Sequence, residues 1–183
     1  SMLMDRLAQT ALKNQRKGAI GYMIKTYVID TNVLIQAPYA IECFEENNLV
    51  LPLVVLEELD GLKKAEGEKG ANARAAVRKL ESYRQKGDLL QGVKLPGGGI
   101  LRIEKNFVQV ELPQDIPDDK PDNRILKVCK GLAETEKEGQ VILVTKDIVL
   151  RLKAQILGIR AEDFERERIS EDDAQYTGRT EIY

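Results

Sequence analysis

The sequence predicts an α/β protein, a three-layer α/β/α sandwich with a mostly parallel central sheet. Short strand patterns alternate with amphipathic helical patterns along the chain, which is typical of this class. The segment QVILVTKD at 140–147 contains an uninterrupted apolar run, and such a run favours a parallel strand covered on both faces. Aspartates follow the ends of two strands, where open parallel sheets have their ligand sites.

Each element has its own signal. β-branched residues and alternation mark the strands, and apolar residues spaced three or four apart mark the helices. A glycine at position 87 ends one helix, and a turn rich in proline and glycine marks a hairpin. The expected elements are strands at 25–30 and 49–52, helices at 54–67 and 72–87, a hairpin at 93–103, a helix beginning near 121, a strand within 140–147, a helix at 148–158 and an edge strand at 159–164.

The chain has 183 residues, 43% of them hydrophobic, which is enough for one domain with a buried core. Regular strand patterning starts after residue 22 and stops near residue 165. We therefore expect an N-terminal extension at 1–22, a globular domain at 23–165 and a charged linker or tail at 166–183. The hairpin at 93–103 is interpreted as a small insertion at the surface.

Composition excludes several kinds of chemistry. Without any histidine, neither a Ser-His-acid triad, a Cys-His pair nor a histidine-bound zinc site can be built. No GxxxxGK[ST] phosphate loop occurs, so the sequence carries no ATPase signature. A net charge of -2 gives no global positive field for nucleic acid, so RNA would have to bind at local patches.

Composition also bears on the compartment. The two cysteines are far apart, which favours a reducing environment. The sequence has neither an apolar run of membrane-spanning length nor the apolar region of a signal peptide. We therefore expect a cytoplasmic protein with no membrane partner.

Two acids arrive at the same edge of the predicted sheet. Asp30 ends the first strand, and Asp147 comes two residues after Thr145, at the end of VILVT. Either one alone also fits a helix cap, stabilised by the helix dipole. Two acids at corresponding strand ends favour a site.

The helix that follows the second strand offers a third acid. At 100° per residue, Glu57 lies opposite the apolar stripe, whereas Glu58 and Asp60 lie at its two borders. Glu58 is nearer the start of the helix and so nearer the sheet edge, which makes it the better candidate. Asp122 follows Pro121 in the first turn of a later helix, where dipole stabilisation is the alternative.

Carboxylates that lie close together raise each other's pKa, because each negative charge opposes the ionisation of the next. A divalent cation offsets this repulsion. A set of Asp and Glu oxygens, without His or Cys, selects hard ions such as Mg2+ or Mn2+. Such an ion lowers the pKa of a bound water and neutralises phosphate charge. Asn32 is a candidate to hold a water or an outer-shell carboxylate, and Thr145 is a candidate to orient Asp147 or to contact phosphate, although both also fit helix caps.

Four segments together resemble the PIN domain, a family of metal-dependent ribonucleases with a three-layer, 5'-nuclease-like fold. They are VIDTNVLI, LPLVVLEELDGLK, PDNRIL and VILVTKDIVLR, in the order of the family, and the likeness runs from about Lys25 to Phe164. The residues that the resemblance implies as catalytic and metal-binding are Asp30, Glu58, Asp122 and Asp147.

Within that family the sequence is most similar to the amino-terminal PIN domain of bacterial PhoH-like ATPases. In those proteins a P-loop ATPase of helicase type follows the PIN domain. The tail at 166–183 resembles the link between the two modules. The resemblance therefore implies a C-terminal ATPase domain as a partner that this chain does not contain.

The leading hypothesis is a Mg2+- or Mn2+-dependent endoribonuclease domain that acts on single-stranded RNA. Basic residues near the predicted edge are candidates for holding the RNA backbone, although each also fits a solvated surface charge. They are Lys63, Lys64, Arg124, Lys146 and Arg151.

Two alternatives belong to other classes. The first is a weakly active or inactive module that binds RNA or a partner and presents it to the attached ATPase. The second is a phosphoacceptor or phosphatase fold, which needs either an acidic pair beside the acceptor or a DxD-type motif, and VIDTNVL supplies neither. The sequence leaves a homo-oligomer open.

Overall fold

A computed structural model describes residues 2–9, 23–136 and 139–165. Within these residues the chain forms a six-stranded sheet flanked by helices, which confirms the predicted α/β class. Helix α1 occupies residues 2–9, and all of its side chains are exposed. The predicted tail at 166–183 and most of the predicted extension at 1–22 lie outside the described residues.

The remaining elements follow the predicted order. The strands are β1 (Thr26–Ile29), β2 (Asn48–Pro52), β3 (Val93–Lys94), β4 (Ile100–Glu104), β5 (Val141–Val144) and β6 (Arg160–Glu162). The helices are α2 (Thr31–Gln36), α3 (Leu53–Leu62), α4 (Gly67–Arg84), α5 (Pro121–Thr135) and α6 (Ile148–Ile156), with a 3-10 helix at Pro38–Glu42.

The strand order in the sheet is β3-β4-β2-β1-β5-β6, and every pair is parallel except β3 with β4. Strand β1 therefore lies in the interior, with β2 on one side and β5 on the other. Ile29 pairs with Val144, so β1 and β5 end side by side. Their next residues, Asp30 and Thr145, therefore reach the same edge of the sheet.

The interior strands are buried as the apolar runs predict. All four residues of β1 and all four of β5 are buried. Helices α2, α3 and α4 contact one another, and α5 contacts both β5 and α6. Burial on both faces explains why VILV shows no polar alternation.

The hairpin is confirmed, but it is more than a surface insertion. Its second strand, β4, pairs in parallel with β2, so that Leu49 is the partner of Leu101. Leu101 is fully buried, and this burial joins the hairpin to the central sheet. Local turn signals indicate a hairpin, whereas its second pairing depends on a strand far away in the sequence.

Two helix bounds differ from the prediction. Helix α3 ends at Leu62 rather than near residue 67, and α4 begins at Gly67 rather than near residue 72. The guanidinium of Arg74 donates a hydrogen bond of 2.7 Å to the carbonyl oxygen of Lys63, just beyond α3. This contact between the two helices satisfies a carbonyl at the break, and periodicity alone does not reveal it. None of the helices in the described part of the chain has both the length and the apolar character needed to cross a membrane.

Candidate active site

Asp30 lies directly after β1 and is only 5% exposed. Its Oδ1 accepts a hydrogen bond of 2.7 Å from the Thr31 N–H, and its Oδ2 accepts one of 2.7 Å from the Thr145 hydroxyl. Asp30 is also the N-cap residue of α2. Asp30 can therefore be both a helix cap and a site residue. It follows β1 and precedes α2, so the position that caps the helix also brings the carboxylate to the sheet edge.

The electrostatic environment of Asp30 opposes its ionisation. Burial raises the pKa of Asp30 above its ordinary value of 3.8, and the charges of Asp147 and Asp122 raise it further. Hydrogen bonds from Thr145 and Thr31 lower that pKa but do not cancel the effect of burial. A buried carboxylate near other acids is ionised more readily when a cation is present.

Thr145 connects two of the acids. This fully buried residue donates to Asp30 and accepts a hydrogen bond of 3.0 Å from the Asp147 N–H. Asp147 is the N-cap of α6, and its Oδ1 accepts from the main-chain N–H groups of Val149 at 2.9 Å and Leu150 at 3.3 Å. Thr145 thus contacts the carboxylate of Asp30 and the main chain of Asp147, and its predicted role in orienting Asp147 stays a prediction.

Glu58 lies on α3, half-buried, and its Oε1 accepts a hydrogen bond of 2.9 Å from the Thr31 hydroxyl. Burial raises the pKa of Glu58, the Thr31 hydroxyl lowers it, and the charges of Asp30 and Asp122 raise it. Glu57 and Asp60 are both exposed, as is typical of acids that point away from a site. The helical-face ranking therefore selects the acid that the structure places beside Asp30.

Asp122 lies in the first turn of α5. Its charge raises the pKa of both Asp30 and Glu58, so it shares their electrostatic environment. Its Oδ2 lies 3.6 Å from Nζ of Lys153, and 37% of its side chain is exposed. Among the four acids predicted from separate segments, the charges of Asp122 and Asp147 therefore act on Asp30, and the charges of Asp30 and Asp122 act on Glu58.

The donor set fits a hard divalent cation, because it consists of carboxylate oxygens. In the described part of the chain, however, no group of three His, Cys, Asp or Glu side chains is arranged to hold an ion as it stands. Mutual repulsion of like charges favours separated carboxylates when no cation neutralises them. An ion would therefore have to draw these side chains together.

The basic residues predicted to bind RNA have varied surroundings. Lys146 donates to the carbonyl oxygen of Phe164 and forms an ion pair of 2.9 Å with Asp163. Arg151 donates to the carbonyl oxygen of Thr145 at 3.0 Å and lies 3.7 Å from Asp163. Both side chains therefore support the end of β5 and the segment after β6, and their predicted role in RNA binding stays a prediction.

The other candidates lie on α3, α5 and the loops beside them. Lys63 forms an ion pair of 2.6 Å with Asp60, whereas Lys64 is exposed. Arg124 donates at 2.9 Å to the carbonyl oxygen of Asp118. Asn32 is exposed on α2, and its predicted supporting role likewise stays a prediction.

The sequence analysis assigned no site role to three residues that lie beside the acids, namely Thr31, Asn123 and Lys153. Thr31 binds Asp30 through its N–H and Glu58 through its hydroxyl. Asn123 is buried, and its side-chain oxygen accepts a hydrogen bond of 2.9 Å from Lys153. Thr31 is adjacent to Asp30 in the sequence, which is a usable signal, but Lys153 meets Asn123 only through the packing of α6 against α5.

Known proteins with similar sequences indicate the family of this chain. A family model described as PIN domain matches residues 27–165. Protein PhoH2 of Bacillus subtilis is 47% identical over 166 residues, which cover 88% of this chain and 38% of that protein. Protein PhoH2 of Mycolicibacterium smegmatis is 38% identical over 162 residues, which cover 87% of this chain and 36% of that protein. The chain thus spans little more than a third of the length of these relatives.

A solved structure shows the same fold. The PIN domain of RRP44 from T. brucei superimposes with a TM-score of 0.52 at 15% identity, over 85% of each chain. This likeness shows the fold, while the family model and the PhoH2 relatives confirm the resemblance to PIN domains of the PhoH type.

Proposed function

Because the chain belongs to the PIN domain family, whose members are generally nucleases, we propose that it is a divalent-metal-dependent endoribonuclease domain. Its substrate in this proposal is single-stranded RNA, and the reaction is hydrolysis of a phosphodiester bond. The observation that carries the proposal is the buried carboxylate of Asp30, held by two donors in the field of neighbouring acids. A fold that makes an acid harder to ionise suits a cation ligand better than a structural cap.

The residues that would hold Mg2+ or Mn2+ are Asp30, Glu58, Asp122 and Asp147. Such an ion supplies a water of lowered pKa and neutralises charge on the phosphodiester. The protein contributes orientation, because Thr145 joins Asp30 to the main chain of Asp147 and Thr31 joins Asp30 to Glu58. Without a histidine in the chain, these carboxylates are the candidate base groups of the site.

The proposal extends to partners. The RNA backbone would be held by basic side chains near the sheet edge, of which Lys64 is the most exposed candidate. A P-loop ATPase domain C-terminal to the PIN domain would supply the motor. The short span of the chain relative to its relatives, 38% of the B. subtilis protein, is consistent with such a domain.

Cleavage of an end-labelled, unstructured RNA tests the activity. We expect cleavage in Mn2+, none in EDTA, and a loss of about a hundredfold or more in Asp30→Asn, because even residues that only orient metal ligands contribute 10- to 100-fold. Glu57→Gln is the matched control, since Glu57 is an exposed acid on the same helix as Glu58. Cleavage that is equal in EDTA, or equal in the Asp30 variant, would contradict the proposal.

A second function is RNA binding without efficient cleavage. It applies if a cation does not draw together the acids of the described residues, which are not arranged to hold an ion as they stand. In that case the folded domain would bind RNA with the same affinity in Mn2+ and EDTA and would leave the RNA intact. Addition of the ATPase-containing protein would then be needed for cleavage.

A further inference from the structure

Lys153 places a positive charge next to the acids. It lies in the last turn of α6 with 22% of its side chain exposed. Its Nζ donates a hydrogen bond of 2.9 Å to Oδ1 of Asn123 and lies 3.6 Å from Oδ2 of Asp122. The ammonium group therefore contacts two consecutive residues in the first turn of α5.

The Asn123 contact is part of a longer connection. Asn123 is 1% exposed, and its Nδ2 donates a hydrogen bond of 2.7 Å to the carbonyl oxygen of Pro117. Lys153, Asn123 and Pro117 thus connect α6, the start of α5 and the acidic segment that precedes α5. Because Asp122 is adjacent to Asn123, this connection holds the part of the main chain from which the Asp122 side chain projects.

Two other cations near these acids have a different acidic partner. Lys146 and Arg151 both approach Asp163. Among the ion pairs of the described residues, only the pair between Lys153 and Asp122 includes one of the four candidate metal-binding acids. Lys153 therefore places a positive charge beside Asp122, the acid whose negative charge raises the pKa of both Asp30 and Glu58.

We propose that the Lys153 ammonium group neutralises Asp122 in the metal-free protein, and that a divalent ion displaces this ammonium group from Asp122. Lys153 is thus a positioning residue: it holds Asp122 apart from the other acids until a metal binds. The displacement rests on the proposed metal-dependent function, whereas the neutralisation of Asp122 does not. An ammonium and a metal that share one carboxylate oppose each other, so removing the ammonium favours the metal.

Binding of Mn2+ measured by calorimetry tests the displacement. We expect Lys153→Met to bind Mn2+ more tightly than the wild type, on the order of tenfold. That tenfold change in affinity corresponds to about 1.4 kcal/mol. Lys153→Arg keeps the charge, so its affinity for Mn2+ should stay within about twofold of the wild type. Lys79→Met is the matched control, since Lys79 is a partly buried lysine paired at 2.9 Å with Glu42 on other elements. A folded Lys153→Met that binds Mn2+ with unchanged or lower affinity overturns the displacement, and a purely structural role would lower the affinity.

A metal-free double-mutant cycle tests the neutralisation. Unfolding midpoints are measured in EDTA for the wild type, Lys153→Met, Asp122→Asn and the double variant. We expect the effects of the two substitutions on stability to be non-additive. The double variant should lose less stability than the sum of the losses in the two single variants. Additive losses would overturn the neutralisation. If the wild type shows no Mn2+ binding that Asp30→Asn weakens, the proposed function fails together with the displacement, and the cycle still decides whether Lys153 neutralises Asp122.

Discussion

The Thr145 hydroxyl donates a hydrogen bond of 2.7 Å to Oδ2 of Asp30, across 115 positions of the sequence. The contact exists because β1 and β5 are neighbours in register, with Ile29 opposite Val144. The same hydroxyl oxygen accepts from the Asp147 N–H at 3.0 Å. One buried side chain therefore contacts the carboxylate of Asp30 and the main chain of Asp147.

Replacing Thr145 should cost stability and raise the pKa of Asp30 further. Thr145→Val preserves the shape but removes a buried hydrogen bond to a carboxylate, so we expect the free energy of unfolding to fall by about 1.5–3 kcal/mol in urea. Thr145→Ser should restore most of it. Thr135→Val is the control, because Thr135 bonds only to carbonyl oxygens of its own helix. Equal losses at both threonines would contradict a special role for the contact with Asp30.

Glu58 should make the metal-free protein less stable as the pH rises. Burial raises the pKa of Glu58 above its ordinary value of 4.5, so just above that pH the folded state binds more protons than the unfolded state. Stability from this group is then present at low pH and lost as the pH rises through the raised pKa. In EDTA we expect Glu58→Gln to exceed the wild type in free energy of unfolding at pH 7, with the difference vanishing near pH 4.

Glu42 provides the mirror-image control for that measurement. Burial raises the pKa of Glu42, but hydrogen bonds from Lys79 and Tyr83 outweigh it and leave the pKa below 4.5. Stability from Glu42 is therefore present above pH 4.5 and is lost as the pH falls. Glu42→Gln should be less stable than the wild type at pH 7. If both variants shift in the same direction, the pH dependence does not come from the local environments.

Two glycines should respond oppositely to alanine. A Cβ on Gly131 of α5 would lie 2.3 Å from the ring of Phe107, whereas one on Gly61 of α3 would meet nothing within 4 Å. We expect Gly131→Ala to lose about 1–3 kcal/mol through overpacking. Gly61→Ala should gain about 0.5–1 kcal/mol through helix propensity. Urea unfolding of both variants measures the difference, and a stable Gly131→Ala would show that the Phe107 ring moves aside at little cost.

The basic residues should separate into RNA-binding and structural groups. Lys64→Ala should leave the free energy of unfolding within about 0.5 kcal/mol. It should reduce the salt dependence of single-stranded RNA binding by about 0.7 in the log–log slope. Arg151→Ala should instead lose about 1–2 kcal/mol of stability, since Arg151 donates to the carbonyl oxygen of Thr145. RNA titrations over a salt series, in EDTA to prevent cleavage, measure the slopes. An unchanged slope for Lys64→Ala would remove it from the RNA-binding candidates.

The fold and the strand-end acids were largely predictable from local patterns. Uninterrupted apolar runs indicate β5, and the chain order of strands and helices indicates a parallel sheet, which in turn places Asp30 and Asp147 at one edge. The helical period distinguishes Glu58 from Glu57, because burial of one face sorts neighbouring acids by angle. These inferences succeed because strand and helix periodicities act over a few residues.

Tertiary structure alone decided the contacts between distant elements. The parallel pairing of β4 with β2, the hydrogen bond from Thr145 to Asp30 and the meeting of Lys153 with Asp122 each join residues far apart in the chain. No local period encodes them, since each depends on which surfaces pack together. The sequence by itself therefore determined the fold class and the acids that the edge can offer, while packing decided which partners hold each acid and where the neighbouring positive charge lies.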